Sequence, residues 1–376
     1  MDLNILRDKI SSLVCPATKR PLELLRFEDA EERAGAKLVP RADTLNTKGT
    51  IAPPAGKTDW VLLRDDDICA YPVVDGIPIL LAPEALTPLA HQTPFDLTAE
   101  RYAEAYEEME FYNASAGSIT EKLSQKGPEE IFPSEIFATA EDKLSFPAPW
   151  DRWVDAVYDS AAQWDAYEHL SPIREKTVLQ LGGSGSHAVK FAMAGAAEAW
   201  SVTPMLGEAK FARALAESVG VGQQVISVVA VAEELPIKSD TIDAIFAGGC
   251  LHHMQTELAV PEAERVLRKG GKFAAVEPWR APLYAIGTKV LGKREKDVYC
   301  RPLTKQRVDP MSKSFSSSRI IQHGTLTRYP LLALNKFGID FKKSLPWYVV
   351  KIDDAVCSVI PGMRGMGSSI AVLGTK

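Results

Sequence analysis

From Thr177 onward, short apolar runs alternate with polar stretches spaced for helices, and that alternation predicts parallel strands joined by helical crossovers. The runs are Thr177–Leu181, Ala199–Val202, Val225–Val229, Thr241–Ala247 and Phe273–Glu277. Upstream, residues 98–170 repeat large apolar side chains every three or four positions, first Tyr102, Tyr106, Met109 and Tyr112, then Trp153, Val157, Tyr158, Trp164 and Tyr167. Such stripes predict helices whose rings either pack between domains or cover a ligand. The first 90 residues instead carry strand-like alternation, with Tyr71–Val74 and Ile77–Leu81 joined by the turn pair Asp75-Gly76. Pro72 and Pro78 restrict these two strands to sheet edges, since proline lacks the N–H of a ladder bond. The pattern divides the chain into a β-rich module (1–90), a helical connector or cap (91–170) and an α/β domain (171–376). The fold class is α/β, with a doubly wound, mostly parallel sheet.

The first crossover opens on Gly182-Gly183-Ser184-Gly185-Ser186, a turn into the helix starting at His187. Missing β-carbons there allow a ligand close to the backbone. After the fourth strand comes Leu251-His252-His253-Met254, and before the fifth comes Arg265-Val266-Leu267-Arg268-Lys269-Gly270-Gly271, read as a helix ending in a glycine turn.

The 376 residues are 46% hydrophobic and 24% charged, which excludes disordered and fibrous classes. No apolar run nears the roughly 18 residues of a membrane span, and the opening residues lack a signal peptide's apolar core, so a cytoplasmic protein is expected. Cys15, Cys69, Cys250, Cys300 and Cys357 are odd in number and form no CxxC pair, which predicts reduced thiols and no metal site. The net charge of −6 hides a segregation. Residues 278–344 hold fourteen Lys/Arg against four Asp/Glu, while residues 96–135 hold three against ten. The acidic stretch reads as a solvated helix face, and nucleic-acid binding is disfavoured.

Together VLQLGGSGS, AEELP, the strand IDAIFAG and RVLRKGGKF resemble the class I S-adenosylmethionine-dependent methyltransferases over residues 171–376. LVCP and YPVVDGIPILL resemble the short zinc-ribbon-like activators that bind methyltransferases, with Thr18 where a second zinc ligand of the first pair would fall. The resemblance implies S-adenosylmethionine as cofactor, held by Gly182, Gly183, Gly185, Thr203, Ala232 and Glu233. It also implies a built-in, metal-free activator module that makes a separate activator subunit unnecessary. Gln180 and Thr203 replace two acids of the family pattern, and Glu208, one helical turn on, is the alternative partner for the ribose.

An insertion after strand five lies over the mouth of such a site, so its basic residues point to a small acceptor with an anionic group. The substrate candidates are Trp279, Arg280, Arg301, Arg328 and Tyr329, with Arg294 beside them. A general base is needed for a hydroxyl or ammonium acceptor, and His253, His323 and Glu277 are the catalytic candidates. Three alternatives stay open: the basic residues glue the domains or meet an anionic membrane or RNA; the acceptor is a tRNA, rRNA or protein; or the chain is a non-catalytic binding protein on a methyltransferase scaffold.

Overall fold

A computed structural model describes residues 3–41, 58–93, 101–128, 131, 159–282, 301–337 and 344–376. Trp153, Val157, Tyr158, Arg294 and Cys300 lie outside the described residues. Two sheets organise the rest. The first is antiparallel and contains β1 (Leu22–Arg26), β2 (Leu38–Pro40), β3 (Trp60–Arg64), β4 (Ala70–Val74), β5 (Ile77–Pro78) and β6 (Leu86–Pro88). Its order is β1-β3-β4-β6-β2, with β5 also paired to β4. Asp75 and Gly76 turn β4 into β5 with φ of 51° and 76°, the left-handed backbone that a two-residue hairpin demands. Pro72 does not mark an edge: β4 lies between β3 and β6, Pro72 faces Val61, and its carbonyl accepts from Ile79 N. The proline lacks only a donor, and the interior strand uses its acceptor.

The second sheet contains β7 (Thr177–Leu181), β8 (Glu198–Thr203), β9 (Val225–Val229), β10 (Ile242–Gly248), β11 (Leu267–Pro278), β12 (Ser317–His323) and β13 (Ser369–Thr375). Its order is β12-β13-β11-β10-β7-β8-β9, parallel except that β13 runs against both neighbours. Strand order reverses beside β7, the switch point at which a crevice forms beyond the carboxyl ends. One boundary differs from the sequence reading: the helix ends at Val266, and Gly270 and Gly271 lie inside β11, where the register to β10 shifts. Gly270 supplies a φ of 77° for that irregularity.

The first sheet abuts the edge of the second. Ile79 bridges Val229 in parallel, Leu80 N donates to Val229 O at 2.8 Å, and Leu13 bridges Ile237. Leu13, Tyr71 and Leu80 share one apolar core with Trp200, Ile226 and Val228. The helix Ala103–Lys126 spans both: Tyr106 donates to Glu84 Oε1 at 2.6 Å, and Tyr102 donates to Glu234 Oε2 at 2.5 Å. Cys15 and Cys69 meet around Tyr71, with Cys15 Sγ 3.2 Å from its hydroxyl and the Arg64 guanidinium beside them. No helix among the described residues is long and apolar enough to cross a membrane.

Candidate active site

At the carboxyl ends of β7, β8 and β10 a cavity lies under the Ala103–Lys126 helix. Its floor is the glycine turn. Gly182 and Gly183 line it with φ of 74° each. A β-carbon on Gly182 would lie 2.8 Å from Cys250 Sγ and 3.0 Å from Met254 Cε, so the glycine also makes room for the loop after β10. Gly185 does not line the cavity. Its missing β-carbon accommodates Ala212, which would be 2.3 Å away, and Ser201. Gln180 cross-links the turn, donating to Gly182 O at 2.9 Å while its Oε1 accepts from Ala188 N at 2.8 Å.

Thr203 and Glu208 reach the cavity together, with the Thr203 hydroxyl donating to Glu208 Oε2 at 2.5 Å. Burial pushes the Glu208 carboxyl up to about 7, and repulsion from Glu108 adds to it while the Thr203 bond opposes it. Ala232 and Glu233 line the next wall. Burial likewise pushes Glu233 up to about 7, against the Gln255 N–H that its Oε1 accepts at 2.8 Å. Val231 and Met205 supply apolar surface beside them.

Opposite these carboxylates, His253 lines the cavity with Nδ1 at 3.1 Å from Glu108 Oε1 and its ring edge-on to Tyr112. Glu104, Glu108 and Tyr112 face the cavity because positions i, i+4 and i+8 share one side of a helix. Arg101 also lines it and pairs with Glu234, while Arg301 pairs with Glu104 at 2.5 Å. Arg307 pins the loop below, donating to the carbonyls of His252 and Met254.

Several sequence candidates fall elsewhere. Glu277 is buried and accepts from the backbone N–H groups of Cys250, Leu251 and His252 and from His252 Nδ1, so it anchors the turn after β10 and does not face the cavity. His323, 2% exposed, is bracketed by Asp165 and Asp354 at 2.7 Å each, which leaves neither nitrogen for a substrate. Arg328 is held by Asp159 at 2.8 Å. Trp279 packs on the core beside Leu303, Arg280 is exposed, and the Tyr329 hydroxyl is buried; none lines the cavity. His323, Arg328 and Tyr329 belong to the edge strand β12 and the helix after it, away from the β7–β10 crevice, whereas Glu277, Trp279 and Arg280 lie at the end of β11, beside β10. Sequence reasoning missed Glu104, Glu108 and Arg101. The signal was present in the four-residue spacing that carries Glu104 and Glu108 through to Tyr112, read instead as a solvated face.

Residues 179–275 match a family model described as a methyltransferase domain. An uncharacterized methyltransferase of Mycobacterium tuberculosis (strain H37Rv) is 28% identical over 113 residues, which is 30% of this chain and 44% of that protein. The chain thus spans less than half the length of this curated relative. Among solved structures, the geranyl diphosphate C-methyltransferase of Streptomyces coelicolor A3(2) is 15% identical with a TM-score of 0.44, covering 57% of this chain and 77% of that one. A possible histamine N-methyltransferase from Thermotoga maritima is 19% identical with a TM-score of 0.38, covering 61% and 94%. Residues 179–275 thus carry the pattern of a methyltransferase domain.

Proposed function

We propose that this chain moves a methyl group from S-adenosylmethionine to a small acceptor whose nucleophilic atom carries a proton, with His253 as the base. S-adenosylmethionine supplies an electrophilic methyl on a cationic sulfonium. The residues present fit it: Gly182 and Gly183 leave the cavity floor open to a ligand, Val231, Ala232 and Met205 offer an apolar wall, and Thr203, Glu208 and Glu233 offer acceptors and negative charge. Glu208 beside Thr203 replaces the acid that the end of β8 lacks. An ionised Glu108 can only accept, so the bond to His253 fixes a proton on Nδ1 and leaves Nε2 its lone pair. That ring can take a proton from a hydroxyl or ammonium as the carbon–sulfur bond breaks.

An anionic group on the acceptor fits the rim where Arg101 and Arg301 flank Glu104, rather than the Arg280 and Arg328 positions. The first sheet, bridged to β9 at Ile79, serves as a built-in cover for that edge and takes the place of a separate activator subunit. The observation that carries the reading is one cavity at the sheet's carboxyl end that unites the glycine turn, the Thr203–Glu208 pair and the His253–Glu108 pair. Calorimetric titration with S-adenosylhomocysteine tests it first, followed by intact-mass screening of small hydroxyl and amine compounds with labelled S-adenosylmethionine. Binding and a labelled product are expected. Absence of binding at millimolar ligand would leave a non-catalytic scaffold and overturn the proposal.

A further inference from the structure

The wall of the cavity is short of positive charge. Glu108, Glu208 and Glu233 line it at 8%, 9% and 8% exposure, and among the described residues none of the three has a Lys or Arg within ion-pair distance. The guanidiniums at the rim are committed elsewhere, Arg101 to Glu234 and Arg301 to Glu104. Glu108 spends Oε1 on His253, and no described residue donates to its other carboxylate oxygen. The acids also work against one another, since Glu108 repels both Glu104, one helical turn before it, and Glu208. Buried charge of one sign asks for a compensating partner, and here the space for that partner is the cavity itself.

The inference that follows rests on the methyltransferase reading of this cavity. S-adenosylmethionine brings one net positive charge, which Glu208 and Glu233 take up on the Thr203 side. Glu108 lies on the other wall with His253 and Tyr112, the wall assigned to the acceptor. A hydroxyl acceptor would leave that wall uncompensated, and drawing off its proton would build an alkoxide's negative charge beside Glu108. An ammonium compensates Glu108 on arrival, and Tyr112 adds a ring that attracts cations. We infer that the acceptor is an amine, bound as its ammonium against Glu108 and delivered to His253. The ammonium gives one proton to His253 Nε2; the freed nitrogen lone pair forms the bond to the methyl carbon as the carbon–sulfur bond breaks, and that bond's electron pair leaves on sulfur as a neutral thioether. Positive charge thus passes from sulfur to the product nitrogen beside the same carboxylates, and His253 returns its proton to solvent.

The test is calorimetric. The full chain is saturated with S-adenosylhomocysteine and then titrated with benzylamine and with benzyl alcohol, probes of one shape that differ in charge near neutral pH. Benzylamine, as its ammonium, is expected to bind roughly tenfold or more tightly than the alcohol. Glu108→Gln should remove most of that preference while leaving the affinities for benzyl alcohol and for S-adenosylhomocysteine unchanged, which also shows that the variant is folded. Equal binding of the two probes, binding of neither, or a preference that survives Glu108→Gln would overturn the amine inference and leave the methyltransferase reading standing. A chain that fails to bind S-adenosylhomocysteine at the first step loses that reading, and the inference falls with it.

Discussion

His253 and His323 are each held by carboxylates from distant parts of the chain, yet they occupy opposite kinds of environment. His253 spends one nitrogen on Glu108 and turns the rest of its ring to a cavity. His323 spends both nitrogens, on Asp165 and Asp354, and is sealed from solvent. One unspent nitrogen is the condition for moving a proton, and two satisfied ones make a cross-link. The same residue type paired with the same partner type is thus left facing a cavity in one place and consumed as a cross-link in the other.

Substitution should separate the two most sharply in stability. His323→Ala leaves two half-buried aspartates without their buried cation and should cost about 3 kcal/mol in denaturant unfolding, while His253→Ala should cost about 1 kcal/mol. Equal losses would erase the distinction. The mirror-image experiment is kinetic: His253→Asn should lower kcat roughly a hundredfold, about 2.7 kcal/mol, and Glu108→Gln roughly tenfold, with cofactor affinity unchanged in both. A Glu108→Gln enzyme with the wild-type pH profile would show that the carboxylate does not set the tautomer.

Titration sharpens the contrast further. Glu208 and Glu233 rise to about 7 through burial, so between the ordinary carboxylate range and 7 the native state binds more protons than the unfolded one. Their contribution to stability therefore declines as pH rises across that window. At His323 burial opposes the charged ring, but the two aspartates outweigh it and raise its pKa; that contribution is complete below about 6.5 and is lost as pH rises through the raised value. Melting temperature should fall from about pH 5 to 8, and saturating S-adenosylmethionine should flatten the lower part of the decline, because a cation favours the ionised glutamates. A ligand that flattens the upper part instead would place the titrating groups wrongly. The smallest effect belongs to Arg301→Ala, whose half-exposed pair with Glu104 should contribute under about 1 kcal/mol to stability, so any strong rise in acceptor KM reports recognition.

The parallel sheet was legible because period-two apolar runs and a glycine turn are local signals, and the chain returns them in the order that the resemblance implies. The cavity's second wall was not. Glu108 lies 145 residues from His253, and nothing in the spacing around either announces the other. Its neighbours Glu107 and Glu110 are exposed, so a helix that buries one acid of several looks solvated when read along the chain. His323 failed for the converse reason: Asp165 lies 158 residues away, and only folding reveals that both ring nitrogens are consumed. Pro72 shows a rule applied too strictly, since an interior strand tolerates proline where the partner uses only its carbonyl.

β13 lies between β11 and β12, so β12 joins the sheet only through a strand translated after it. From Pro278 to Ser369 the ribosome adds about 90 residues, which at about 5–20 residues per second is roughly 5–18 s during which the flank of β11 stays unpaired. An open strand flank recruits other chains, so this protein's period of greatest aggregation risk falls during its own synthesis, and slower elongation over residues 279–368 should lower the soluble yield without changing the finished molecule.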